Sequence, residues 1–154
     1  MIQINKVAHV VLNVKDVEAS ATFYNQVLGM EIMNLNLERP MAFLSFGTQH
    51  HDLALFKAPE GSELGSLGLN HMAMQIQGGE AELEVMHRCL LDHGVTIRST
   101  QDHGVTKSVY FSDPDGNGLE IFCEMMSPEE GLQEMRERGG VRREIQMGAS
   151  SSYR

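Results

Sequence analysis

The sequence predicts an α+β fold of two βαβββ modules, and three observations carry that prediction. Laying His9 over His71 aligns "AHVVLNV" with "NHMAMQI", two short alternating runs of the kind a half-buried strand shows. Each run precedes one helical stripe and then three further strand signals. Between the copies lies "KAPEGSELGSLG", Lys57 to Gly68, rich in turn formers and read as a connection within one fold.

In module one, about residues 4–58, Asp16 is placed to cap a helix with Ala19, Phe23 and Val27 on one stripe and Gly29 just past its end. Strands are expected at about Glu31 to Leu37, Ala42 to Phe46 and Asp52 to Phe56. In module two, about residues 66–125, Gly78 and Gly79 form a loop before a helix whose stripe is Leu83, Met86 and Leu90 and which Gly94 ends. Strands should follow at Val95 to Ser99, Ser108 to Ser112 and Leu119 to Cys123. The modules together make one domain over residues 1–126. Ser127 as N-cap, Pro128 in the first turn and the acidic pair Glu129 and Glu130 at the positive helix end predict a C-terminal helix over 127–139, stopped by Gly139 and Gly140. Residues 140–154, ending "GASSSYR", lack an apolar pattern and are expected to form a mobile tail without an assigned function.

At 154 residues the chain can bury about two-thirds of its unfolded surface without covalent staples. The net charge of -9 argues against a nucleic-acid or anionic-membrane partner, because phosphate binding relies on clustered Lys and Arg. A small-molecule partner is expected. Met1 to Val10 shows no basic-plus-apolar signal pattern, and no apolar run approaches the ~20 residues of a membrane span, so a cytoplasmic location is expected. Cys89 and Cys123 lack C-x-x-C spacing and are read as buried and reduced.

The repeat also places His9 and His71 at equivalent strand positions. If the modules pair about a pseudo-twofold axis, both imidazoles converge, and a carboxylate from another strand would complete a set of two histidines and one carboxylate. Such a set holds one face of a metal and leaves the other open, so the fold would be a metal-centred cup. Glu120 in "NGLEIF" is the acidic residue inside an otherwise apolar strand. Alone, each residue has an ordinary reading, a hydrogen-bonded core histidine or a solvent-facing glutamate; their matched placement points to the metal. A symmetric turn at "DPDGN", Asp113 to Asn117, would pair Ser112 with Gly118 and set Tyr110 opposite Glu120 on one sheet face. In "TQHHDLALF", Thr48 to Phe56, two histidines and Asp52 stand at the mouth of a strand.

Together these residues resemble the vicinal-oxygen-chelate superfamily (glyoxalase, bleomycin resistance, dioxygenase), and within it the type I extradiol ring-cleaving dioxygenases. The resemblance runs from about Lys6 to Phe122 and rests on the His9 strand, "HHDLAL", "NHMAM", and "HGV" followed by "YFSDPDGNGLEIF". It implies His9, His71 and Glu120 as metal ligands. It further implies His51 as the acid-base histidine, Tyr110 as the active-site tyrosine and His103 as a histidine supporting the site. The implied cofactor is Fe(II), with Mn(II) as the alternative, and the implied substrates are a catecholic aromatic and dioxygen. Ring opening would occur beside the two hydroxyl carbons, with His51 stabilising reduced oxygen and donating a proton, and Tyr110 orienting or deprotonating a substrate hydroxyl. A homo-oligomer, most simply a dimer, is expected.

The chain departs from the family pattern in the slightly shorter interval from His103 to Tyr110 and in lacking the additional metal-free pair of modules that many members carry. Glyoxalase I has a fourth ligand, a glutamate where this chain has Ala54; Asp52, two residues away, would share that strand face. Strict alternation puts His51 and Ala54 on opposite faces, which requires His51 to precede the regular strand or occupy a bulge. Alternatives are a glyoxalase-like isomerase, a fosfomycin-resistance-like metal-dependent thiol transferase, or a non-catalytic drug-binding protein. His50 is read as solvated or a hydrogen-bond partner, His87 as lying on a helix, His93 as favouring the negative end of that helix, and the many methionines as core filling.

Overall fold

The computed structural model describes residues 4–65, 68–139 and 141–147, and divides into two compact units, Met1–Leu64 and Gly65–Arg154. The first unit runs β1 (Val10–Val14), α1 (Val17–Gln26), β2 (Glu31–Asn36), β3 (Met41–Ser45) and β4 (Leu53–Lys57). Its sheet has the order β1-β4-β3-β2, with β1 parallel to β4 and the other pairs antiparallel. Strand alternation drives this arrangement: Leu12 and Val14 point inward from β1 while Val11 and Asn13 face out. Leu44, Leu53 and Leu55 meet them in the core.

The Asp16 carboxylate accepts from Ala19 N at 3.0 Å and starts α1. Gly29, at φ +72°, ends it, with Met30 N returning to Tyr24 O at 3.1 Å. The buried face is Val17, Ser20, Ala21 and Tyr24, whereas Ala19 is exposed and Phe23 half-buried. Val27, at the end of the expected stripe, is buried as expected, while the preceding turns bury the neighbouring Ser20, Ala21 and Tyr24 positions. Both readings have helical spacing, and the hydroxyl of Tyr24 disguised a ring that is fully buried.

The second unit repeats the plan with β5 (Met72–Gln75), α2 (Glu80–Asp92), β6 (Ile97–Asp102), β7 (Thr106–Ser112) and β8 (Gly118–Glu124), then α3 (Pro128–Arg138) and β9 (Arg143–Glu144). Its sheet order is β5-β8-β7-β6-β9, again with the first pair parallel. Leu83 and Leu90 of α2, with Val109, Phe111, Leu119 and Ile121 of the sheet, form its core. Cys123 is buried as expected, but Cys89 is half-buried, its sulfur 3.7 Å from His93 Nδ1.

Ser127 and Glu130 form a capping box on α3, and the Glu130 carboxyl is held below its ordinary pKa by the Ser127 hydroxyl and then its N–H. Part of the segment expected to be a loose tail is ordered: Arg143 and Glu144 pair antiparallel with Asp102 and Gln101. Alternation of side chains could not announce a strand this short, since its partner edge is over forty residues away and backbone bonds alone define it. Residues 140 and 148–154 of that segment lie outside the described residues. No helix among the described residues is long and apolar enough to cross a membrane.

Candidate functional site

Each unit carries its own group of the side chains singled out by sequence. In the first, exposed His9 immediately precedes β1, where Val10 N donates to Asp52 O at 3.0 Å. His51 precedes β4, which begins at Leu53, so it escapes the alternation that would have opposed it to Ala54. Its ring centroid lies 4.5 Å from that of His9, 4.4 Å from that of His50 and 5.1 Å from that of Phe43. His50 is a hydrogen-bond partner, its Nδ1 and that of His51 being 2.5 Å apart. Desolvation first, then the neighbouring imidazoles of His50 and His9, lower the His51 pKa below the ordinary histidine value. At neutral pH His51 is an uncharged imidazole able to accept a proton.

Asp52 is engaged within its own loop. Its carboxylate accepts from Phe46 N at 2.7 Å and Gln49 Nε2 at 2.6 Å, with Ser45 Oγ at 3.2 Å. These bonds clamp the loop that presents His51. Ala54 is buried opposite Val11 and Phe43 and offers no donor atom.

In the second unit the turn chemistry sets the geometry. Asp113 Oδ1 accepts from Asn117 N at 2.8 Å and from Asp115 N at 3.0 Å, while Asn117 Nδ2 donates to Oδ2 at 2.8 Å. The resulting register pairs Ser112 with Gly118 and Tyr110 with Glu120. His71, immediately before β5, brings Nε2 within 2.9 Å of the Glu120 carboxylate. Its Nδ1 is 2.8 Å from Asn70 Oδ1, an atom that can only accept, so Nδ1 carries the hydrogen. An imidazole nitrogen 2.9 Å from a buried carboxylate is a pair of ligand types suited to a divalent metal. Sequence reasoning missed Asn70; its only signal was its place beside His71 in "NHMAM".

His103 Nδ1 is 2.9 Å from the carbonyl of Val141 and therefore donates to it, leaving Nε2 to accept the Tyr110 hydroxyl at 2.9 Å. The short interval between His103 and Tyr110 is thus compatible with direct contact. Desolvation, followed by the Glu120 charge, raises the Tyr110 pKa to about 12. Tyr110 is consequently a neutral donor at physiological pH. A cavity of about 250 Å³ opens beside this group, lined by His71, His103, Tyr110, Ser99, Arg98 and Arg142 among others. Neither arginine was singled out by sequence, where an isolated arginine carries no pattern. Among the described residues, no three His, Cys, Asp or Glu side chains lie close enough together to hold a metal ion.

Residues 6–121 match the family described as the Glyoxalase/Bleomycin resistance protein/Dioxygenase superfamily. Over 136 residues the chain is 34% identical to biphenyl-2,3-diol 1,2-dioxygenase 3 of Rhodococcus globerulus, covering 84% of this chain and 70% of the relative. It is 31% identical over 122 residues to metallothiol transferase FosB of Staphylococcus saprophyticus, covering 77% and 76% of the two chains. Among solved structures, a variant of the fosfomycin resistance protein FosX of Listeria monocytogenes, complexed with Mn(II), superposes with a TM-score of 0.67 at 21% identity over 86% of this chain and 98% of that one. The βαβββ repeat and the match along three-quarters of the sequence agree, and the chain belongs to the glyoxalase/bleomycin resistance/dioxygenase superfamily.

Proposed function

We propose that the protein is an extradiol dioxygenase that opens a catecholic ring with dioxygen, using a metal held by His9, His71 and Glu120. The observation that carries this reading is the grouping of Glu120 and Tyr110 on adjacent strands with His71 and His103 beside them in the same unit, combined with likeness to biphenyl-diol dioxygenases. Fe(II) would supply Lewis acidity toward the two diol oxygens and a path for electrons to dioxygen. Both oxygen atoms enter the product as the ring bond beside the diol breaks, so no external reductant is required.

The chain's own residues then divide the proton work. His51, uncharged because of its lowered pKa, takes a proton from the substrate hydroxyl and returns it during ring opening. Tyr110, held neutral, orients the diol through its hydroxyl rather than acting as a base. His103 fixes that hydroxyl through Nε2, being itself anchored to Val141.

Anaerobic loading with Fe(II), followed by dioxygen uptake and visible absorbance with a panel of catechols, tests the reading. Stoichiometric uptake with a yellow ring-opened product is expected, and Glu120→Ala should lose both iron and uptake. Metal-loaded protein that consumes no dioxygen with any catechol would instead favour a metal-dependent thiol transferase, the reading supported by likeness to FosB.

A further inference from the structure

We infer that the substrate carries an anionic substituent, a carboxylate, on its catechol ring, and that Arg98 and Arg142 recognise it; this rests on the dioxygenase reading above. Both guanidinium side chains line the 250 Å³ cavity with His71, His103 and Tyr110. Two cations at one cavity stand out in a chain of net charge -9. Neither forms an ion pair among the described residues, and Arg98 is engaged only through Nη2, which donates to Gly116 O at 3.1 Å. Among the described residues, most of their donors make no hydrogen bond. A planar guanidinium offers paired N–H groups matched to the two oxygens of a carboxylate, a charge-assisted bidentate contact that an alkyl substituent cannot provide.

The backbone directs both side chains. The β6/β7 register shifts between Ile97 and Ser99, so Arg98 is the extra residue of a bulge, next to Ser99, which pairs with Tyr110. A bulge re-aims the side chain it carries. The first module has the same shift between Ile32 and Asn34, where the bulged residue is Met33. The irregularity is thus a property of the repeated fold, and the second module uses it to carry a charge. Arg142 is held between Val141, whose N–H and carbonyl both bond to His103, and Arg143, paired with Asp102. The ordered C-terminal segment thereby supplies a specificity group as well as the anchor for His103.

The test compares matched substrates, 3,4-dihydroxybenzoate with 4-methylcatechol and 3,4-dihydroxyphenylacetate with 4-ethylcatechol, on Fe(II)-loaded wild-type, Arg98→Gln and Arg142→Gln proteins. Both arginines are exposed, so the variants should fold. Wild-type kcat/KM should favour the anionic member of each pair, and either variant should reduce that ratio by about tenfold to a hundredfold, the range expected for losing a charge-assisted contact. Arg142→Lys should restore only part of it. Turnover of both members with equal efficiency, or a ratio unmoved by the variants, would overturn the inference while leaving the dioxygenase reading intact. No turnover of any catechol would remove both.

Discussion

Gly118 opens β8 at the point where the second module presents His71, and replacing it with alanine should disturb both stability and metal binding. A Cβ built there would lie 2.4 Å from Asn70 O, 3.1 Å from His71 Cβ and 3.3 Å from His71 Cα. Ordinary contact begins near 3.4 Å, so the β5 entrance would have to retreat by about 1 Å. Backbone conformation is not the obstacle, because Gly118 does not occupy the positive-φ region. The obstructing atoms are backbone and Cβ, which no rotamer change can clear. Overpacking of this kind costs about 1–3 kcal/mol. A 1 Å retreat would also lengthen the 2.9 Å approach of His71 Nε2 to Glu120, and displacements of that size at reacting groups cost about a hundredfold in rate. Urea denaturation and titration with Mn(II) measure the two effects separately. Gly118→Ala with wild-type midpoint and wild-type metal affinity would refute the close-approach argument; lost stability with unchanged affinity would mean that His71 is not a ligand.

Other perturbations separate the roles of neighbouring groups. His51→Ala should retain iron yet slow ring opening by about 10²- to 10⁴-fold, the usual worth of a general acid-base group, whereas unchanged single-turnover rates would exclude it from proton transfer. Asp52→Ala removes acceptors from three loop groups and should cost about 1–3 kcal/mol in urea unfolding without depleting metal; iron loss would reassign Asp52 as a ligand. In metal-free protein, the difference between ultraviolet titrations of wild type and Tyr110→Phe should show a phenol with its midpoint at about 12, and a midpoint near 10 would contradict its burial beside Glu120. Because the folded form keeps this proton after the unfolded chain has lost it, the associated stability is present below pH ~10 and declines toward pH ~12. A sealed group would contribute about 2.7 kcal/mol, and the phenol's partial exposure reduces this to about 1. Gly131→Ala, whose added Cβ meets nothing within 4 Å, should slow amide exchange in α3 by a factor corresponding to about 0.5–1 kcal/mol; faster exchange would contradict the open space around it.

What sequence alone determined about this protein was whatever is written in local chemistry and period. The matched strands behind His9 and His71, the caps at Asp16 and Ser127, and the Asp113 turn that sets Tyr110 against Glu120 all depend on residues within a few positions of one another. The period-2 pattern and an Asp-Pro-Asp-Gly-Asn loop suffice, because a hairpin turn and its hydrogen bonds settle register without distant partners. Only the tertiary structure decided which face of α1 is buried, that Asp52 closes a loop, that Asn70 and Val141 orient two histidine rings, and that Arg98 and Arg142 share a cavity. The His103 anchor joins residues thirty-eight positions apart, and the direction of Arg98 follows from a bulge between paired strands. The Asp52 loop and the Asn70–His71 pair are local in sequence, but which polar neighbour a side chain bonds depends on the backbone conformation, whereas the His103 anchor and the Arg98 bulge join distant segments that no short window contains together.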